Sequence, residues 1–173
     1  MKDYMHKEYP KTVGRNEFWK QIKRTVNGKE VSEKDISAIV SQINKHMNFN
    51  KQDHLLDLGC GNGALASKFF VKLNQYTGVD FSEYLLDVAQ EFFCPNNVQY
   101  KNDSAENFVL NCHDPEQYSK VLIYGVMSYF ERDDIANMIS TIDKKFKNVS
   151  RIFIGNIPNK EKAKEFYAIR DKY

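Results

Sequence analysis

An aspartate and a run of glycines lie together near the middle of the sequence, in the stretch LLDLGCGNGAL at Leu55–Leu65. Asp57 is followed by Gly59, Gly61 and Gly63, one glycine at every second position. Glycines where a strand turns into a helix let the backbone bend sharply and touch a ligand at the edge of an open sheet. The Asp57 carboxylate would repel a pyrophosphate and attract an ammonium group. This stretch therefore predicts a site for a ligand that carries a positive charge.

A second acidic residue, Asp80, follows the next apolar run, about 20 residues after Gly59. An acidic side chain at the end of a second strand can accept hydrogen bonds from both hydroxyls of a ribose. Asp80 and the glycines therefore indicate an adenosine-containing ligand. The segment from Gly59 to Ala64 also satisfies the G-x-G-x-x-A pattern of nicotinamide dinucleotide sites, so the glycines alone leave both ligands open.

Residues that could act as acid, base or nucleophile are scattered along the chain. His6, Tyr9 and Tyr129 are candidate general bases, and no spacing rule selects among them. The three cysteines are widely spaced without a CxxC pair, which indicates free thiols and no metal site. Cys60 has no histidine or lysine beside it, so we interpret it as a small loop residue and not as a nucleophile.

Short apolar runs that alternate with helical patterns must position these residues. The predicted strands are His54–Leu58, Tyr76–Val79, Val98–Tyr100, Val121–Val126 and Arg151–Ile154. The predicted helices between them are Leu65–Leu73, Glu83–Phe92 and Asp133–Phe146. Such alternation predicts an α/β fold, a three-layer αβα sandwich with a mostly parallel sheet of strand order 3-2-1-4-5.

The first 50 residues are predicted to be a helical cap on the same domain as residues 51–173. Phe18–Val26 has the pattern of a short helix, and Ser32 with Asp35 resembles a capping box before a second helix. We expect the segment before Lys34 to fold over the carboxyl edge of the sheet as a lid. The alternative is a terminal helix packed against the back of the sheet.

Four stretches, in order, resemble the motifs of class I (Rossmann-like) S-adenosylmethionine-dependent methyltransferases. They are LLDLGCGNG, YTGVDFSEYLLDVA (Tyr76–Ala89), VQYKNDSAENF (Val98–Phe108) and KVLIYGVMSYF (Lys120–Phe130). The resemblance covers most of residues 55–157 and implies S-adenosyl-L-methionine as cofactor and S-adenosyl-L-homocysteine as product. It also implies that little catalytic machinery is needed, because the sulfonium methyl is already activated.

The resemblance assigns cofactor-binding roles residue by residue. The implied residues are Asp57, Gly59, Cys60, Gly61, Asp80, Phe81, Asp103, Ser104, Ala105, Tyr124, Gly125 and Arg24. Among them, Asp80 is expected on the ribose, Phe81 beside adenine and Asp103 on the adenine amino group. Asp57 or Asp103 could instead be a strand-end cap. Arg24 in this family can reach the cofactor carboxylate, although its basic surroundings favour a solvated surface position.

Composition limits the kind of protein and the partners. The chain has 173 residues, 42% of them hydrophobic, and a net charge of +2 with no uniformly basic face, so no nucleic acid is expected as a partner. The longest mainly apolar run, Val121–Phe130, falls far short of the roughly 18 residues that span a bilayer, and the start lacks an apolar signal segment. We therefore expect a cytoplasmic protein without membrane contact, a monomer or a homodimer.

The methyl acceptor is predicted to be a small molecule. The N-terminal segment YPKTVGRNEFWKQIKRTVNGKEVS is similar to that of bacterial methyltransferases of surface-polysaccharide and sugar-modifying pathways, so a phosphorylated or nucleotide-linked sugar would suit the basic flanks. Two alternatives stay open, an adenosyl-ligand-binding module without catalysis that serves a partner enzyme, and an NAD-dependent oxidoreductase. Only one helix-like stretch follows the fifth strand, so we expect a C-terminally truncated chain.

Overall fold

A parallel five-stranded sheet forms the centre of the protein. The computed structural model describes residues 7–26 and 29–157. The sheet strands are β1 (His54–Leu58), β2 (Gln75–Asp80), β3 (Val98–Asn102), β4 (Lys120–Tyr124) and β5 (Arg151–Gly155). Their order is β3-β2-β1-β4-β5, with every neighbouring pair parallel. The predicted strand order 3-2-1-4-5 is confirmed.

Helices cover both faces of this sheet. They are α1 (Phe18–Gln21), α2 (Glu33–Met47), α3 (Glu83–Phe92), α4 (Ala105–Asn111) and α5 (Arg132–Lys145). All five residues of β1 are buried, as expected for a strand covered on both faces. Leu55 shares a core cluster with Ile43 of α2, and Leu56 shares a second cluster with Ile142 of α5. The three-layer sandwich is therefore confirmed.

The start of α2 follows the predicted cap. Ser32 Oγ accepts a hydrogen bond from the Asp35 backbone N–H at 3.2 Å, and the Ser32 hydroxyl donates to the Asp35 carboxylate at 2.6 Å. Ile36, Ile43 and Met47 then form the buried side of the helix. Helix-period apolar residues behind a serine cap were therefore sufficient to predict α2.

Two helix predictions differ from the structure, and one further helix was not predicted. The predicted helix at 65–73 is two short 3-10 helices, Ala66–Lys68 and Phe70–Lys72, because consecutive aromatic and β-branched residues have weak helix propensity. The helix predicted at Phe18–Val26 ends at Gln21, and Thr25–Val26 pairs with Lys29–Glu30 as a two-residue antiparallel ladder. Helix α4 was not predicted, although Ser104 supplied a cap signal.

A buried ion pair lies at the end of the sheet where β1 and β4 begin. Lys120 is 4% exposed, and its Nζ lies 3.1 Å from Oδ2 of Asp53, which is 5% exposed. The same ammonium donates to the carbonyls of Met47 at 2.7 Å and Asn48 at 3.0 Å. The Asp53 carboxylate also accepts from the Ser119 hydroxyl at 2.8 Å. This group joins the carboxyl end of α2 to the sheet.

Two predictions concern the chain ends and membranes. The helix-like stretch expected after β5, at residues 159–173, lies outside the described residues. Within the described ranges, no helix has both the length and the apolar character that a membrane crossing requires.

Candidate functional site

A cavity of about 280 Å³ lies at the carboxyl ends of β1, β2 and β4, beside the glycine loop, here defined as residues 59–63. Small-molecule sites in proteins occupy about 300–1,000 Å³, so this cavity is close to the lower end of that range. Its lining includes every residue predicted to bind the cofactor. They are Arg24, Asp57, Gly59, Cys60, Gly61, Asp80, Phe81, Asp103, Ser104, Ala105, Tyr124 and Gly125.

The glycine loop is shaped by neighbouring side chains as well as by space for a ligand. Gly59 has φ +79°, and a Cβ there would lie 2.4 Å from Cγ1 of Val126, so a side chain is excluded on both grounds. A Cβ on Gly63, at φ +75°, would lie 2.6 Å from the Tyr100 hydroxyl. Gly63 is not among the residues that line the cavity. Its role is packing against β3, and the sequence pattern alone did not separate it from the two ligand-side glycines.

Asp57, on β1, is buried beneath the cavity with 5% of its surface exposed. Its Oδ2 accepts a hydrogen bond from the Tyr76 hydroxyl at 2.9 Å. Burial raises the pKa of Asp57 from 3.8 to about 7; the Tyr76 hydrogen bond opposes this rise, and the Asp80 charge adds to it. The carboxyl is therefore partly protonated near neutral pH, and a cation placed beside it would favour the ionised form.

Asp80, at the end of β2, holds the glycine loop in place. It is 7% exposed, and its two oxygens accept from the backbone N–H groups of Gly61 at 2.8 Å and Ser82 at 2.9 Å. Burial raises the pKa of Asp80, and these backbone donors oppose the rise. Because each carboxylate oxygen has more than one lone pair, Asp80 can accept further hydrogen bonds from a ligand.

Asp103 and Ser104 lie at the start of α4. Asp103 accepts hydrogen bonds from the Ser104 backbone N–H at 2.8 Å and from Nδ2 of Asn107 at 2.7 and 3.0 Å. Ser104 caps α4 by accepting from the Asn107 N–H at 3.1 Å. The carboxylate of Asp103 is thus a local cap, as the alternative interpretation held, and also part of the cavity lining.

Arg24 is half-buried in the cavity wall, so the solvated surface position favoured by the sequence is wrong. Its guanidinium lies over the Tyr124 ring, with Cζ 4.7 Å from the ring centroid. Its Nε is buried, and no hydrogen-bond partner lies within reach of that atom in the described part of the chain. A buried donor without a partner is costly, which favours an acceptor group from a ligand at this position.

Residues of the N-terminal segment, here defined as residues 7–26, contribute to the same cavity. Gln21, Ile22 and Lys23 line it together with Arg24 and the glycine loop. Residues 21–24 of this segment therefore lie at the carboxyl edge of the sheet, whereas Arg15 and Phe18 pack at the carboxyl-terminal end of α3. No periodic pattern of residues predicts these contacts, because they come from a tight turn after α1.

Tyr9 and Tyr129, the candidate general bases that the structure describes, are not brought together. Tyr129 lines the cavity, on a 3-10 helix, Met127–Tyr129, that follows β4. Tyr9 lies outside the lining, with the Lys23 ammonium 4.0 Å from its ring centroid, so the prediction of a role in the site is not supported for this side chain. His6 lies outside the described residues.

Cys60 lies in the glycine loop and has the character of a packed thiol. Its Sγ–H donates to the Gly61 carbonyl at 3.6 Å, a weak sulfur hydrogen bond. Burial raises the pKa of the Cys60 thiol well above its usual value, with smaller contributions from Asp80 and Asp57. A thiol held in the neutral form is a poor nucleophile, which agrees with the interpretation of Cys60 as a small loop residue.

Carboxylates and a guanidinium thus share one cavity at the switch point of a doubly wound sheet. Asp80 can accept from hydroxyl groups, Asp57 can attract a cation, and Arg24 can bind an anion. This set suits a ligand that carries a ribose together with an ammonium and a carboxylate.

Such a sheet, with a glycine loop after β1 and an acidic residue after β2, defines the Rossmann-like class of nucleoside-binding domains. The sequence profile described as "Methyltransferase domain" matches residues 55–148, more than half of the chain. The chain therefore belongs to the methyltransferase domain family, with the fold of class I S-adenosylmethionine-dependent methyltransferases. S-adenosylmethionine is the cofactor of this class.

Individual relatives are distant. The chain is 23% identical over 128 residues to the ubiquinone biosynthesis O-methyltransferase of Rickettsia bellii (strain OSU 85-389), an alignment that covers 74% of this chain and 52% of that protein. The chain thus spans about half the length of that relative.

Solved structures share the fold at low identity. The N-methyltransferase NodS from Bradyrhizobium japonicum WM9 has a TM-score of 0.61 at 12% identity, over 82% of this chain and 84% of that chain. SAM-bound CalS10, an amino pentose methyltransferase from Micromonospora echinaspora, has a TM-score of 0.56 at 13% identity, over 78% of this chain and 55% of that chain.

Proposed function

We propose that this chain binds S-adenosylmethionine in the cavity at the glycine loop and serves methyl transfer to a small-molecule acceptor. The observation that carries the proposal is the convergence of Asp57, Asp80 and Arg24 on one cavity. Family membership supports the reaction type. The names of the distant relatives, which include oxygen and nitrogen methyltransferases, support a small-molecule acceptor without selecting the acceptor atom.

The residues present fit the parts of this cofactor. Asp80 would accept from the ribose hydroxyls, Asp57 would hold the ammonium group, and Arg24 would bind the carboxylate through donors that include its unpartnered Nε. Phe81, which is 37% exposed at the cavity wall, would flank adenine, and Asp103 would accept from the adenine amino group. When bound, the cofactor supplies a methyl group activated by the positive charge on sulfur.

The chain's own contribution to the reaction is positioning and exclusion of water. Tyr124 and Gly125 form the wall beside Arg24, and the N-terminal segment closes one side. We propose that residues 1–50 act as the cap of a single domain completed by residues 51–173. Closure against water strengthens the electrostatic interactions that orient cofactor and acceptor.

An anionic acceptor suits the cations near the opening. Lys23 lines the cavity, and the Lys7 ammonium lies 5.8 Å from the centroid of the Phe81 ring. A phosphorylated or nucleotide-linked sugar has the required charge, and Tyr129 is the candidate base from the cavity lining if the attacking group is a hydroxyl. The cytoplasmic location and the choice between monomer and homodimer stay predictions.

A second candidate function is binding without catalysis, because the positions of Asp57, Asp80 and Arg24 account for cofactor binding and not for methyl transfer. A binding module would hold the cofactor with the same residues and would transfer no methyl group to any acceptor. Mass-spectrometric screening of methyl transfer from S-adenosylmethionine to a panel of phosphorylated and nucleotide-linked sugars separates the two. The oxidoreductase alternative is disfavoured by the buried carboxylate of Asp57 beside the path of a pyrophosphate.

Two substitutions should separate the ribose from the carboxylate end of the site. We expect Asp80→Ala to weaken binding of both S-adenosylhomocysteine and 5′-methylthioadenosine by about 1–3 kcal/mol, since both ligands carry the ribose. We expect Arg24→Ala to weaken only S-adenosylhomocysteine, because methylthioadenosine lacks the amino-acid group. Isothermal titration calorimetry measures all four affinities.

Exposed residues supply the controls for this pair. Asp87→Ala and Arg132→Ala remove the same side-chain types from helix surfaces outside the cavity lining, and they should leave both affinities unchanged. If Arg24→Ala lowered the affinity for both ligands equally, Arg24 would not be the residue that binds the carboxylate. An unchanged affinity in Asp80→Ala would remove Asp80 from the ribose site.

A further inference from the structure

Two buried amide side chains join the N-terminal segment to the glycine loop. Gln21, at the end of α1, is 1% exposed, and Asn62, in the loop, is 0% exposed. Nδ2 of Asn62 donates to Oε1 of Gln21 at 2.9 Å and to the Phe18 carbonyl at 2.8 Å. The sequence did not predict a role for either residue, because neither carries a charge or a reactive group.

The amide pair is hydrogen-bonded at its other atoms as well. Nε2 of Gln21 donates to the carbonyls of Gly14 at 3.0 Å and Arg15 at 3.1 Å, and Oδ1 of Asn62 accepts from the Ala64 N–H at 3.3 Å. A buried polar network with every member satisfied specifies one arrangement, because each alternative leaves a donor or acceptor without a partner. The N-terminal segment is therefore fixed to the loop in a defined position.

A tight turn connects this anchor to Arg24. Lys23 has φ +51°, a left-handed conformation, and the Arg24 backbone N–H donates to the Trp19 carbonyl at 2.7 Å. Between them, Ile22 lies against the glycine loop, with its Cγ2 3.1 Å from the point where a Cβ on Gly61 would lie. The position of Gln21 thus sets the position of the Arg24 guanidinium in the cavity.

We propose that Gln21 and Asn62 are positioning residues that hold Arg24 at the carboxylate end of the cofactor site. The proposal rests on the function proposed above, in which Arg24 binds that carboxylate. Asn62 is not part of the cavity lining, and Gln21 lines the cavity with an amide whose polar atoms are engaged with Asn62 and the backbone. The pair acts through Arg24 and not on the ribose or the adenine.

The test is calorimetric titration of the full chain with S-adenosylhomocysteine and with 5′-methylthioadenosine. Gln21→Met keeps the side-chain volume close to that of glutamine and removes every hydrogen bond of the amide, and Asn62→Ala breaks the pair from the other side. We expect each variant to bind S-adenosylhomocysteine about tenfold more weakly, the loss of roughly one buried hydrogen bond, and to bind methylthioadenosine within about twofold of wild type. In an Arg24→Ala background, Gln21→Met should cause no further loss of affinity for S-adenosylhomocysteine.

Asn62→Ala provides the second variant, because it breaks the pair and leaves the two donors of Gln21 on the Gly14 and Arg15 carbonyls. It preserves the test if Gln21→Met does not fold. The proposal would be overturned if Gln21→Met weakened the binding of both ligands equally. It would also be overturned if the affinity losses caused by Gln21→Met and Arg24→Ala were additive in the double variant. A wild-type chain that binds neither ligand would contradict the proposed function itself.

Discussion

Replacing Lys120 by methionine is expected to lower the free energy of unfolding by about 3–5 kcal/mol, the usual cost of breaking a buried ion pair from one side. The ammonium group has three acceptors, the Asp53 carboxylate and the carbonyls of Met47 and Asn48. Methionine fills the space and leaves the carboxylate and both carbonyls without this donor. Urea denaturation at neutral pH measures the change. A loss of this size is a large share of the 5–15 kcal/mol typical of native proteins.

The matched control is Lys51→Met, which removes an exposed lysine. Surface substitutions of this kind usually change stability by less than about 0.5 kcal/mol. If Lys120→Met and Lys51→Met lower stability equally, the ion pair at the start of β1 and β4 contributes nothing to the fold. The affinity for S-adenosylhomocysteine at temperatures where the variant is folded should be unchanged, because the pair lies at the end of the sheet opposite the cavity.

Replacing Asp57 by asparagine is expected to stabilise the ligand-free protein above pH 7 and to weaken cofactor binding. Because the pKa of Asp57 rises from 3.8 to about 7 on folding, the native state binds the proton more tightly than the unfolded state. The contribution of this group to stability is fully present below about pH 4 and is lost as pH rises towards 7. At about 1.4 kcal/mol per pKa unit, the ionised carboxylate costs roughly 4 kcal/mol.

Thermal unfolding of Asp57→Asn and wild type at pH 5 and pH 8 checks this expectation. The melting temperature of the variant should exceed that of wild type at pH 8. At pH 5, most of this difference in melting temperature should be absent. Asp87→Asn, an exposed substitution on α3, is the control and should show no such difference between the two pH values. If Asp57→Asn raised the melting temperature equally at both pH values, ionisation of the buried carboxyl would not be the cause of the stabilisation.

The same carboxyl should make cofactor affinity depend on pH. An ammonium group beside Asp57 requires the carboxylate form, so binding of S-adenosylhomocysteine should weaken as pH falls through about 7. With that pKa, we expect roughly tenfold weaker binding at pH 6 than at pH 8, and Asp57→Asn should abolish the dependence. We therefore expect Asp57 to weaken the ligand-free fold and to contribute to cofactor binding.

The sheet could be predicted because its signals are local. Buried parallel strands read as short apolar runs, and His54–Leu58 was predicted with the bounds it has in the structure. The glycine loop and the two aspartates followed from their positions at strand ends, since parallel strands bring their carboxyl ends to one edge of the sheet. The helix prediction was wrong where aromatic residues cluster, as at residues 66–72.

The contacts made by side chains far apart in sequence could not be predicted. The position of Arg24 depends on the left-handed turn at Lys23 and on the Gln21–Asn62 amide pair. Lys120 has the pattern of an ordinary charged residue at a strand start, and its burial becomes evident only when α2 ends beside it. No periodicity or motif in one sequence encodes such pairings.

The most direct test of the central claim, an adenosyl cofactor site at the glycine loop, is calorimetric titration of this chain with S-adenosylhomocysteine and, in parallel, with NAD. We predict that at pH 8, where Asp57 is mainly ionised, one S-adenosylhomocysteine binds per chain and NAD does not bind, because the buried carboxylate opposes a pyrophosphate. Binding of NAD more tightly than S-adenosylhomocysteine, or no binding of S-adenosylhomocysteine at all, would contradict the claim.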